Sequence, residues 1–182
     1  LHLGTLDREF TSLESHELIV LAGRPGTGKT ALAVQLAWEQ AKRGTNVAFF
    51  SLEMGGKELI KRVALNNSGR WCFDGPPAMK DAVRTVGKNK ALRIYADHCA
   101  TSLPYIESTA IALSNAPGGL GLVVIDYLQL MDVLAEAKQS NREQQIAQLS
   151  RRLKLLPKRC KCPILVLAQL NRGPEREDRA PR

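Results

Sequence analysis

The stretch Gly23-Arg24-Pro25-Gly26-Thr27-Gly28-Lys29-Thr30 reads G-x-x-x-x-G-K-T, the spacing of a phosphate-binding P-loop. Before it, Leu18-Ile19-Val20-Leu21-Ala22 is a short apolar run rich in β-branched residues, as a buried strand is. After it, residues 31–43 are good helix formers, and Gly44 is placed to stop the helix. The motif therefore has its strand–loop–helix setting. Glycines let backbone N–H groups turn inward and come close to phosphate oxygens. A helix N-terminus adds partial positive charge facing the same anion. Lys29 is expected to reach the β- and γ-phosphates, and the Thr30 hydroxyl to ligate Mg²⁺. All eight residues of the loop form the candidate nucleotide-binding set.

Working outward, the pattern repeats. Asn46-Val47-Ala48-Phe49-Phe50-Ser51-Leu52 is a second strand candidate, and residues 57–65 a helix with Leu59, Ile60 and Val63 on one face. Residues 68–77 carry Gly69, Gly75, Pro76 and Pro77 and read as a loop, followed by a short helix over 78–86. Leu92-Arg93-Ile94-Tyr95-Ala96 is a third strand candidate. Ser102 is placed to cap the next helix, with Pro104 in its first turn, Ile106, Ala110 and Leu113 inward, and Pro117-Gly118-Gly119 breaking it.

Leu122-Val123-Val124-Ile125-Asp126 is a fourth strand ending in a carboxylate. Residues 132–141 are polar and weakly patterned, as a loop is. A helix follows over 142–156, with Ile146, Leu149, Leu153 and Leu156 on one face and Pro157 expected to end or kink it. Ile164-Leu165-Val166-Leu167-Ala168 is a fifth strand. Alternating strands and helices predict an α/β fold, a mainly parallel sheet with helices on both faces.

Ligands in such sheets bind beyond the carboxyl ends of the strands. Asp126, with a P-loop expected on a neighbouring strand, is the expected Walker B carboxylate for Mg²⁺. Glu53 is either an exposed strand-end residue or the carboxylate that orients attacking water. Gln169 is either an ordinary strand-end polar residue or a group that senses a γ-phosphate.

A net charge of +8 is compatible with a polyanionic partner and also simply aids solubility. Arg151, Arg152, Lys154, Lys158, Arg159 and Lys161 fall in eleven residues without an acid, either a solvated helix face or a phosphate-backbone contact. Trp38 and Trp71 read as packing residues. Cys72, Cys99, Cys160 and Cys162 lack zinc-site spacing and are expected to be reduced thiols of a cytoplasmic protein. No apolar run reaches transmembrane length, and no signal peptide is visible at the N-terminus. Leu3, Leu6, Phe10 and Leu13 have helical spacing in a lead-in segment, residues 1–16.

The P-loop, Phe50-Ser51-Leu52-Glu53-Met54, Val124-Ile125-Asp126-Tyr127-Leu128-Gln129-Leu130-Met131 and Ala168-Gln169-Leu170-Asn171-Arg172 together resemble the successive motifs of DnaB-type replicative helicases. The resemblance runs from about Glu17 to Arg172. It implies a RecA-like P-loop NTPase core over residues 1–172, with 173–182 a flexible tail. It implies ATP and Mg²⁺ as ligands, and homo-hexameric rings that hydrolyse ATP to move along single-stranded DNA and part the duplex during replication. A primase and a helicase loader are implied partners.

By similarity, Glu53 is the water-activating glutamate, Lys29 the phosphate-binding lysine, Asp126 the Walker B residue with Thr30 on the metal, and Gln169 the γ-phosphate sensor. Arg142, by the channel-facing loop, and Arg172 are the nucleic-acid candidates. Arg62 falls at a family arginine and is given no role. The family continues past Asn171-Arg172 with a further DNA loop, a strand and hairpin, and an arginine finger that completes a neighbour's site. The chain is therefore expected to be a piece of a longer protein and, alone, a weak ATPase. The alternatives are a nucleotide-binding module with little turnover, and a RecA-like recombinase or signalling ATPase.

Overall fold

The computed structural model describes residues 14–68, 76–96, 102–126 and 142–170. Strands β1 (Leu18–Gly23), β2 (Val47–Ser51), β3 (Leu92–Tyr95), β4 (Leu122–Asp126) and β5 (Ile164–Gln169) form one sheet in the order β1-β5-β4-β2-β3. Every pairing is parallel. Helices α1 (Lys29–Lys42), α2 (Gly56–Ser68), α3 (Pro76–Gly87), α4 (Leu103–Ser114) and α5 (Arg142–Cys160) connect or flank the strands.

The apolar runs are continuous because the inner strands are buried on both faces. Side chains alternate across the sheet. Ala48, Phe50, Val123, Ile125, Ile164 and Val166 point to one core with α4 and α5. Val47, Phe49, Leu122, Val124, Leu165 and Leu167 point to the other, with α1, α2 and α3. Phe50 is fully buried and stacks on Tyr95 with ring centroids 4.9 Å apart. Phe50→Ala is expected to lower the unfolding free energy by about 3–5 kcal/mol, from lost transfer energy and a residual cavity. Urea unfolding followed by circular dichroism checks this.

Three helix boundaries differ from the sequence expectation. Helix α5 does not stop at Leu156; it continues through Pro157 to Cys160. An interior proline costs about 3 kcal/mol. Here Leu156, Pro157 and Cys160 are all buried, so tertiary packing holds the last turn in place. Pro76 and Pro77 are not loop residues; they open α3, where a missing N–H has no helical partner to lose. Helix α2 also runs on past Leu65. Its Asn67 side chain accepts the Trp38 indole N–H at 2.9 Å, which confirms Trp38 as a packing residue with a satisfied donor.

Ser102 caps α4, its hydroxyl accepting the Tyr105 N–H at 3.4 Å. Cys160 and Cys162 are buried free thiols. No helix among the described residues is long and apolar enough to cross a membrane. The helix expected near residues 3–13, the loop at 132–141, Trp71, Cys72, Cys99, Arg172 and the tail 173–182 lie outside the described residues.

Candidate functional site

The P-loop strand β1 and the Asp126 strand β4 are not neighbours, contrary to the sequence expectation: β5 lies between them. The residues still converge, because of how β1 connects to β2. That crossover passes over β5 and β4, so α1 lies across them on the second core. Strand parity does the rest. Gly23, Ser51, Asp126 and Gln169 each sit two positions beyond Leu21, Phe49, Val124 and Leu167, on the α1 face.

The loop is folded tightly on itself. Lys29 Nζ donates to the carbonyls of Gly23 and Arg24, both at 2.8 Å. The Thr27 hydroxyl donates to Arg24 O at 2.8 Å. A Cβ on Gly23 would stand 2.9 Å from Thr27 Oγ1, so the strand end needs glycine. Gly28, the N-cap of α1, is left-handed at φ 88° and supplies no side-chain cap. The first N–H groups of α1 therefore face the loop mouth without a capping side chain, as an anion site requires.

Asp126 is 2% exposed, and its Oδ2 has no hydrogen-bond partner. Burial pushes its pKa above the ordinary carboxylate range. The Thr30 hydroxyl opposes that rise, the charge of Glu53 adds to it, and Arg62 and Lys29 oppose it. A buried carboxylate with an orphaned oxygen beside a threonine hydroxyl is a donor set that suits Mg²⁺, a hard cation needing oxygen ligands.

Asp126→Asn is accordingly expected to stabilise the nucleotide-free chain at neutral pH. A raised folded-state pKa means that ionisation favours the unfolded chain. The cost is absent in acid, grows as pH climbs through the carboxylate range, and is complete above the folded-state pKa. The gain in melting temperature should therefore be seen at pH 7 and vanish near about pH 3. An unchanged or lower melting temperature at pH 7 would contradict it.

Glu53 is exposed, two residues past the end of β2. The sequence reading missed the residue that aims it. Ser51 is 3% exposed; its hydroxyl donates to Met54 O at 2.7 Å and accepts the Met54 N–H at 3.2 Å. Leu52 N donates to Asp126 O at 2.6 Å. These bonds close a turn that carries Glu53 off the sheet. The signal was a serine at a strand end, where its side chain bonds local backbone. Gln169 is paired in register with Gly23, at the foot of the loop. Arg62 is exposed and 3.8 Å from Glu58. Arg142 is the first residue of α5.

A family model described as the DnaB-like helicase C terminal domain matches residues 2–182. The chain belongs to this DnaB-like family. It is 34% identical to the replicative DNA helicase DnaB of Geobacillus stearothermophilus over 188 residues, covering 97% of the chain and 40% of that protein. It is 37% identical to the Rhodothermus marinus DnaB over 169 residues, covering 87% of the chain and 18% of that protein. The chain thus spans less than half the length of these relatives.

Among solved structures it matches a DnaB-like replicative helicase studied with primase, with TM-score 0.79 and 27% identity over 98% of this chain and 46% of that one. It also matches a separately solved ATPase domain, with TM-score 0.78 and 28% identity over 98% and 66%. The parallel sheet flanked by helices is the RecA-like P-loop NTPase fold of these DnaB-like structures. Membership supports an ATP-binding and ATP-hydrolysing motor function in general, that of the family.

Proposed function

We propose that this chain is the ATP-hydrolysing motor core of a replicative DNA helicase, acting on single-stranded DNA in a homo-hexameric ring in the cytoplasm. The core spans residues 1–172, with 173–182 as a tail. The observation that carries the reading is the meeting of Lys29, Thr30, Glu53 and the orphaned Asp126 carboxylate at one loop mouth. Primase and a loader are proposed partners, by likeness to relatives.

In this reading the P-loop residues 23–30 hold the triphosphate through backbone N–H groups. Lys29 exchanges the carbonyls of Gly23 and Arg24 for the β- and γ-phosphates. Thr30 and Asp126 hold Mg²⁺, which when bound neutralises phosphate charge. Glu53 orients and polarises the attacking water, and Ser51 holds the turn that positions it. Gln169, beside Gly23, reads the γ-phosphate and links it to the chain beyond β5. Arg142 and Arg172 contact DNA.

The test is the ATPase rate of the chain with and without single-stranded DNA. DNA-stimulated turnover supports the motor. Tight ATP binding without turnover under both conditions favours a nucleotide-binding module instead.

A further inference from the structure

Helix α5 buries Leu149, Leu153, Leu156 and Cys160 against the first core. At 100° per residue its opposite side carries Arg151, Lys154 and Lys158, at spacings i, i+3 and i+7. All three are exposed, and among the described residues none has a salt-bridge partner. Glu107 of α4 takes Arg152 in a two-pronged pair, at 2.6 and 3.1 Å. Arg152 is thereby removed from the stripe.

The stripe continues past the helix end. Lys158 and Lys161 line an open cavity of about 370 Å³ with Ser15 and His16. His16 Nε2 lies 3.4 Å from Glu14 Oε2, so one carboxylate flanks the cavity opposite the two lysines. Leu155, 53% exposed, stands among the cations.

We propose that Arg151, Lys154, Lys158 and Lys161 form a second nucleic-acid surface, which binds the sugar–phosphate backbone of a strand without reading its sequence. The surface lies on the sheet face opposite α1, and its cavity lies at the amino ends of the strands. The P-loop lies beyond their carboxyl ends. The site is therefore separate from the nucleotide site and does not depend on the reading proposed for it. Successive cations stand about 4–6 Å apart along the helix axis. Long flexible side chains at that pitch reach phosphates repeating at about 3.4 Å along a stacked strand. Leu155 offers an apolar contact to the sugars. A helix side with three exposed cations, in a run of residues 151–161 that contains no acid, is complementary to a continuous polyanion.

The test is fluorescence anisotropy of the whole chain with a labelled single-stranded DNA oligonucleotide of mixed sequence, across a salt series. The triple variant Arg151→Gln, Lys154→Gln, Lys158→Gln is compared with Lys80→Gln, Lys88→Gln, Lys90→Gln, which removes the same charge from exposed positions on and just after α3. Each phosphate contact contributes about 0.7 to the slope of log affinity against log salt for single strands. The stripe variant should flatten the slope by about 2 and weaken binding alike for unrelated sequences, while the control leaves the slope unchanged.

An unchanged slope in the stripe variant, or equal flattening in the control, overturns the proposal. So does poly-glutamate displacing the probe as well as unlabelled DNA does, which would point to an acidic protein partner. ATP affinity, read in parallel, reports the P-loop separately. If the stripe variant loses ATP binding as well, Lys158→Gln alone must flatten the slope by about 0.7 or the proposal fails.

Discussion

Lys29→Ala is expected to weaken ATP binding by about 10²–10⁴-fold, the largest effect of any single substitution in the loop. The ammonium sits at the loop mouth on two carbonyls, Gly23 O and Arg24 O. With nucleotide it would exchange them for phosphate oxygens. A charge-assisted hydrogen bond is worth about 1.5–3 kcal/mol, and two of them correspond to the stated range at about 1.4 kcal/mol per decade. The fold should survive. Gly23 O keeps the Leu170 N–H at 3.1 Å, and Arg24 is exposed to water. Calorimetric titration with ATP, beside a thermal melt, separates lost binding from lost folding. Near-native affinity in a folded Lys29→Ala variant would remove the P-loop from the nucleotide site.

Much of this arrangement is legible in the sequence, and the reason is physical. An inner strand covered on both faces is apolar throughout, so 122–126 and 164–168 stand out and lie within β4 and β5. The run 18–22 reads the same way, yet β1 is an edge strand and its Val20 is 54% exposed, so it is less buried than its sequence implies. The P-loop, the strand-end Asp126 and the Ser102 cap each have a local chemical signature.

What was not legible depends on distant neighbours. Nothing local to β5 tells that it inserts between β1 and β4; strand order comes from the crossover of α1 over the sheet. Nothing local to Pro157 tells that burial of Leu156 and Cys160 outweighs the lost helical bond. The role of Ser51 required its turn to be seen. Asp126 could be named from its strand, but its orphaned oxygen exists only because Thr30 and the second core enclose it.

Glu53→Gln is expected to cut ATP turnover by about 10²–10⁴-fold, the range for a positioned general base, while ATP affinity stays the same or rises. The two readings of this residue part at this point. As an exposed strand-end glutamate it would be nearly silent, since surface substitutions shift stability by no more than about 0.5 kcal/mol. As the group that polarises water it is indispensable to turnover and dispensable to binding. The amide keeps the size and hydrogen-bonding reach of the carboxylate but has no basic oxygen for the proton.

The geometry favours the second reading. Ser51 spends a buried hydroxyl on the turn that holds Glu53 off the sheet end, and Leu52 N ties that turn to Asp126 O. An unconstrained surface residue needs neither bond. Glu53's charge also raises the Asp126 pKa, so the substitution should move Asp126 back toward the ordinary carboxylate range. Removing a negative charge near Asp126 should favour a bound triphosphate as well. Single-turnover hydrolysis measured beside equilibrium ATP binding distinguishes the cases. Loss of turnover with binding intact assigns Glu53 to the chemistry; equal loss of both makes it a ligand of the nucleotide; no loss of either returns it to the surface.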